Sequence, residues 1–192
     1  HREIEQITAL GIEIFCNTEI GKTIPLQHLF EKHNALIAAA GTLKPNLPEL
    51  PNAHLSGIRH GLDFLLEAHT TGTTVGEHVI IIGGGYTAMD CARTARRLGG
   101  TITESNNGKL TIYYRRKKES IRVIPAELEE LEHEFIPLEC DATPLEYLET
   151  NGTLTGIRFQ RTGSDETFEI PTDTVLLATG QTPDTHWQQA IT

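Results

Sequence analysis

The chain has 192 residues, 38% of them apolar and 22% charged, with a formal net charge of −10. That length supports one sizeable core, or one domain with a piece of another. The acidic balance argues against a nucleic-acid partner, which takes a basic surface, and no run reaches the roughly 18 apolar residues of a membrane span.

In chain order, residues 2–10 predict a helix, with Ile4, Ile7 and Leu10 at helical spacing and Gly11 as its stop. Residues 12–17 (IEIFCN) predict a strand, residues 24–33 a second helix, and residues 35–42 (ALIAAAGT) a second strand, apolar throughout as in a parallel sheet. The N-terminus is polar, has no charged-then-apolar leader pattern and lacks an initiator Met, as in a processed chain or a fragment. Pro45, Pro48 and Pro51 then remove backbone donors over residues 43–57 and mark an extended linker.

A helix is predicted over 59–69, a loop over 70–77, and a strand over 78–82 that runs into GGG and a helix reaching about Leu98. The loop TITESNNGK (101–109) leads to the strand LTIYY (110–114). Residues 125–135 predict an amphipathic helix with Pro125 in its first turn and Ile124, Leu128, Leu131 and Phe135 on one buried face. LEYLE (145–149) and LTGIRFQRT (154–162) flank Asn151-Gly152, a hairpin signal, and TFEIPT (167–172) pairs back. TVLLATG (174–180) closes as an all-apolar strand. Apolar strands alternating with helices predict a Rossmann-like three-layer α/β fold, a parallel sheet with an antiparallel three-stranded excursion.

Cys16, Cys91 and Cys140 are isolated, with no C-x-x-C, so neither an iron–sulfur or zinc site nor a flavin-linked disulfide is expected. Unpaired thiols fit a reducing, cytoplasmic setting. His28 and His33 share a helix without Cys or acidic partners, so no metal is expected.

The chemistry-bearing stretch is residues 79–100. Gly83, Gly84, Gly85, Tyr86, Thr87 and Ala88 spell G-x-G-x-x-A between a strand and a helix. The first glycine allows the tight turn, the second lets a pyrophosphate approach the backbone, and the small Ala88 lets the helix pack closely. The free N–H groups of the helix start face the phosphates. A site for NAD places an acid at the end of the next strand to bind the ribose hydroxyls. This chain has Arg115, Arg116, Lys117 and Lys118 there, about thirty residues on from the glycines. Guanidinium groups form charge-assisted bonds to a 2′-phosphate, so the cofactor is read as NADP(H). A glycine-rich structural turn and a solvated basic patch are the plainer alternatives.

Together GGGYTAMDCARTARRLG, YRRKKESIRVIPAELEEL, LTGIRFQRT and IPTDTVLLATGQTPD resemble the small (beta) subunit of NADPH-dependent glutamate synthase and its relatives. These include the flavin–NADPH half of dihydropyrimidine dehydrogenase. The resemblance implies an FAD domain, split in sequence, with an NADPH domain inserted. Residues 1–50 would be the tail of the split FAD-binding domain, 51–56 a linker and hinge, 57–183 the NADPH-binding domain, and 184–192 the return towards FAD.

The resemblance also implies hydride transfer from NADPH to FAD, then electron transfer to a partner such as an iron–sulfur or large synthase subunit. Tyr86 and Asp90 would border the nicotinamide, and Ala178, Thr179 and Gly180 would face FAD. The upstream FAD glycine motif, the C-terminal FAD segment and the cysteine-rich region of such relatives are not in these 192 residues. The chain is therefore expected to bind NADPH and to be inactive alone. The competing reading is a non-catalytic NADP(H)-binding or assembly module.

Overall fold

The computed structural model describes residues 2–99 and 110–184. The expected loop 101–109 and residues 185–192 of the expected return segment lie outside the described residues. The chain divides into two compact units, residues 1–44 with 182–192, and residues 45–181.

In the first unit, α1 (Arg2–Thr8) and α2 (Leu26–Lys32) form, and among its described residues Leu26 alone is buried. The strands expected at 12–17 and 35–42 do not form there. A strand needs a neighbour to take its backbone hydrogen bonds, and the only pairing among the unit's described residues outside its boundary positions is an isolated bridge between Ile20 and Ile24. Ile12, Ile14 and Phe15 are exposed, and Ile37 is 94% exposed.

The second unit is built on a five-stranded parallel sheet. Its strands are β1 (Ile58–His60), β2 (Val79–Ile82), β3 (Leu110–Tyr113), β4 (Leu138–Glu139) and β8 (Thr174–Leu177), in the order β1-β8-β2-β3-β4. Three helices accompany it: α3 (Gly61–Thr70), α4 (Tyr86–Arg97) and α5 (Pro125–His133). The second sheet, β5 (Ala142–Thr150), β6 (Thr153–Arg161) and β7 (Thr167–Pro171), is antiparallel. Asn151 (φ 53°) and Gly152 (φ 76°) turn its first hairpin, the positive-φ pair that a two-residue turn requires.

Alternate residues of the parallel strands build two cores, as the pleat demands. On one face Ile81, Leu110, Ile112 and Leu176 pack with Phe64 of α3, Ala88, Met89 and Ala92 of α4, and Leu131 of α5. On the other, Ile80, Ile82, Tyr113 and Val175 pack with Tyr147, Ile157 and Phe159 of the antiparallel sheet. The Tyr113 and Phe159 rings stack with centroids 4.5 Å apart. The layers are therefore helices, parallel sheet and antiparallel sheet, the three-layer fold expected.

The expected apolar face of residues 125–135 loses two members: Ile124, which stands 55% exposed, and Phe135. α5 ends at His133, and Phe135 takes a positive φ (56°) and stands 77% exposed, while Ile136 is buried in its place. The Ile136 N–H donates to the Leu131 carbonyl, so the chain reverses before the helical stripe reaches Phe135. Glutamates of this segment also reach the neighbouring helix. Glu127, Glu130 and Glu134 face Arg93 on α4, the closest pair at 2.7 Å. Within the proline-rich stretch, Leu55 is buried and Asn52 Nδ2 donates to the Tyr147 carbonyl (2.8 Å), so residues 52–55 lie against β5.

Candidate functional site

β2, β3 and β8 end level: Ile82 pairs with Tyr113 on one side and Leu177 on the other. The next residues continue the alignment. The Gly83 N–H donates to the Tyr113 carbonyl (3.0 Å) and the Ala178 N–H to the Ile82 carbonyl (2.8 Å). β2 sends its crossover through α4 to β3, whereas β8 lies on its opposite side. The gap between β2 and β8 is thus a topological switch point, where open α/β sheets bind ligands at the carboxyl ends of their strands.

A cleft of about 900 Å³ lies there, at the upper part of the range for small-molecule sites. Gly83, Gly84 and Gly85 line it from β2, Tyr113, Tyr114, Arg115 and Arg116 from β3, and Ala178, Thr179 and Gly180 from β8. Asn46 and Pro48 form a further wall, and the Thr179 hydroxyl donates to the Asn46 carbonyl.

The three glycines have different reasons to be glycine. A Cβ on Gly83 would lie 2.3 Å from the Ala178 carbonyl oxygen, and one on Gly84 would lie 2.5 Å from the Tyr114 ring. Both are required by neighbouring protein. A Cβ on Gly85 would meet no protein atom within 4 Å. Its φ of −110° suits any residue, so neither a protein neighbour nor backbone strain requires glycine there. Gly85 is also the N-cap of α4, and no side chain caps that helix. The first N–H groups of the helix are orphan donors with the positive end of the dipole behind them.

The positive charge is more concentrated here than the RR pair alone implies. Arg122, which sequence reasoning did not select, also lines the cleft. None of Arg115, Arg116 and Arg122 forms a salt bridge with a carboxylate among the described residues. Three like charges brought together repel one another, and an anion relieves that repulsion. The signal for Arg122 was its place in the same basic run, seven residues beyond Arg115, but only the fold of the loop brings it back.

The remaining selected residues do not line the cleft. Ala88 is fully buried in the helix-side core. The Thr87 side chain lies near Gly61 at the start of α3. Asp90 and Lys117 are exposed. Tyr86 is 48% exposed, and its hydroxyl accepts the Ile124 N–H (3.2 Å). Among the described residues no group of three or more His, Cys, Asp or Glu is placed to hold a metal, and no helix is long and apolar enough to cross a membrane.

Residues 6–192 match the family model described as pyridine nucleotide-disulphide oxidoreductase. The chain belongs to this family. It is 31% identical over 203 residues to the NADPH-Fe(3+) oxidoreductase subunit beta of Geobacter sulfurreducens, covering 95% of this chain and 29% of that protein. It is 29% identical to the glutamate synthase (NADPH) small chain of Escherichia coli, covering 95% of this chain and 43% of that one. The chain thus spans between about a quarter and a half of these curated relatives' length.

Among solved structures, it superposes on a 2-naphthoyl-CoA reductase with a TM-score of 0.72 at 18% identity, over 98% of this chain and 26% of that one. T. acidophilum thioredoxin reductase gives a TM-score of 0.59 at 22% identity, over 77% and 44%. These two show the shared fold.

Proposed function

We propose that this chain is the NADPH-binding portion of a flavoprotein oxidoreductase of the glutamate-synthase small-chain type. One observation carries the reading: a glycine loop with a bare helix start and three guanidinium groups without carboxylate partners among the described residues line a single cleft at a switch point. The pyrophosphate of the dinucleotide would lie on the N–H groups that follow Gly85. Its 2′-phosphate would take charge-assisted bonds from Arg115, Arg116 and Arg122. The nicotinamide end would then run towards Ala178–Gly180.

Bound NADPH supplies the hydride, and FAD is its acceptor in this reading. The chain's own part is to hold the nucleotide, orient it and keep water from its reactive face. No proton-transfer group is required for that step, and none is assigned. The 192 residues hold one G-x-G-x-x-A loop, so the fit extends to one dinucleotide. FAD would be completed by segments corresponding to the uncovered length of the relatives. The exposed Ile12, Ile14, Phe15 and Ile37 of the first unit fit that arrangement. The electron acceptor beyond FAD would be a partner domain or subunit, and the proteins named above suggest iron or a synthase large subunit.

The competing reading is an NADP(H)-binding module without redox chemistry. Titration with NADPH and NADH, followed by nicotinamide fluorescence, tests the common core: NADPH binds more tightly. Equal affinities would remove the assignment. Yellow colour in the full-length protein, bleached by NADPH, then separates enzyme from module.

A further inference from the structure

Arg122 sits on a short bridge, residues 120–124, between the 3-10 turn Lys118–Ser120 and the start of α5. Its neighbours Ile121 and Val123 pack against the helix-side core, while Arg122 itself is exposed and lines the cleft. Each end of the bridge is held by a tyrosine. At one end the Tyr114 hydroxyl donates to the Ser120 carbonyl (3.1 Å). At the other the Ile124 N–H donates to the Tyr86 hydroxyl (3.2 Å).

Neither tyrosine is placed at random. Tyr114 follows β3, and its ring lies so close to Gly84 that no Cβ fits between them. Tyr86 is the first residue of α4, next to Gly85. Tyr86 thus starts from the glycine loop and Tyr114 from the end of β3 with its ring on that loop, and both reach across to the segment that carries the third cation.

The geometry points to Tyr86 and Tyr114 as a pair of positioning residues that clamp the 120–124 bridge, set Arg122 over the cleft and thereby favour a 2′-phosphorylated dinucleotide. This deepens the NADPH reading and rests on it. The physical reason is preorganisation. An arginine on an untethered bridge must lose backbone freedom when it meets the phosphate, and a bridge pinned at both ends has lost it already. A dinucleotide without a 2′-phosphate does not use Arg122, so the clamp contributes little to its binding.

The test uses the full chain with Tyr86→Phe, Tyr114→Phe and Arg122→Ala, alone and combined. NADPH and NADH affinities are measured by calorimetry and folding by thermal melting. Phenylalanine keeps the ring on Gly84 and removes only the hydroxyl. Each Phe variant is expected to weaken NADPH about three- to tenfold, the range for one lost hydrogen bond, and to change NADH by no more than about twofold. In the Arg122→Ala background the Phe substitutions are expected to add nothing, because the clamp acts through that residue.

Equal losses for both nucleotides, or losses that persist without Arg122, would reduce the tyrosines to structural contacts and overturn the clamp. Phe variants that match the parent while Arg122→Ala selectively weakens NADPH would also overturn it and leave the NADPH reading standing. An Arg122→Ala variant that loses neither nucleotide, in a parent that prefers neither, would sink both.

Discussion

Gly83 and Ala178 meet so closely that a Cβ on the glycine would lie 2.3 Å from the alanine's carbonyl oxygen. Gly83 follows β2 and Ala178 follows β8, strands separated by almost a hundred residues in sequence. Both residues line the cleft.

Gly83→Ala is expected to destabilise the fold by about 1–3 kcal/mol, because backbone must move to admit the methyl group. Gly85→Ala meets no neighbouring protein atom within 4 Å and is expected to lower the melting temperature less than Gly83→Ala, through the poorer N-cap alone, while weakening both NADPH and NADH. Thermal melting and calorimetry on the two variants separate the structural glycine from the ligand-facing one. Unchanged nucleotide affinity in Gly85→Ala would place the pyrophosphate elsewhere.

Arg115→Ala combined with Arg116→Ala is expected to weaken NADPH far more than NADH, by roughly 1.5–3 kcal/mol for each charge-assisted bond lost. The parent's preference for NADPH is expected to shrink as salt rises from low to about 1 M, since exposed charges are screened within a few ångströms there. Competition binding at two salt concentrations measures both effects.

Arg93 on α4 reaches Glu130 (3.2 Å) and Glu127 (4.0 Å) on α5 and Glu134 (2.7 Å) just after it. Arg97 adds a contact to Glu134 at 3.1 Å. The Arg93 guanidinium is about three-quarters shielded, and its pKa is raised, first by the hydrogen bond to Glu134. Arg93→Ala is expected to cost about 1–2 kcal/mol, more than a typical exposed pair, since several carboxylates lose one partner. Denaturant unfolding monitored by circular dichroism reads the change.

Tyr147 is fully buried and its hydroxyl has no hydrogen-bond partner among the described residues. Tyr147→Phe is expected to leave stability unchanged or raise it by about 1 kcal/mol, since it removes an unsatisfied polar group.

Burial also pushes the Tyr147 phenol up to about 12 from 10.0. Tyr113 likewise rises to about 12, and Cys91 rises from 9.0 to about 12, in each case first through burial. All three folded values exceed the unfolded ones, so the unfolded chain releases protons first. The stability these groups contribute is complete below pH 9 and falls as pH rises from about 9 to about 12. Tyr147→Phe is expected to flatten the upper part of that fall in a series of melts. At neutral pH a thiol reagent is expected to label exposed Cys16 readily and buried Cys91 only on unfolding.

The strand–glycine–helix unit of β2 and α4, the Asn151-Gly152 turn and the basic run after β3 were legible from the amino-acid order. Each depends on neighbours within a few residues: an apolar run, a glycine spacing, a positive-φ pair. The strands expected at 12–17 and 35–42 were misread because apolar character shows that a segment wants cover, not that a partner strand is present. Phe135 was misread because helical spacing continues past the point where the chain turns.

Tertiary structure alone decided that β8 enters between β1 and β2, which brings Ala178–Gly180 up to the glycine loop. It also returned Arg122 to Arg115 and Arg116, and set Tyr114 on Gly84. These relations join residues from different strands and loops through long-range pairing and packing. Periodicity tells which side chain is buried, and only the folded chain tells against what.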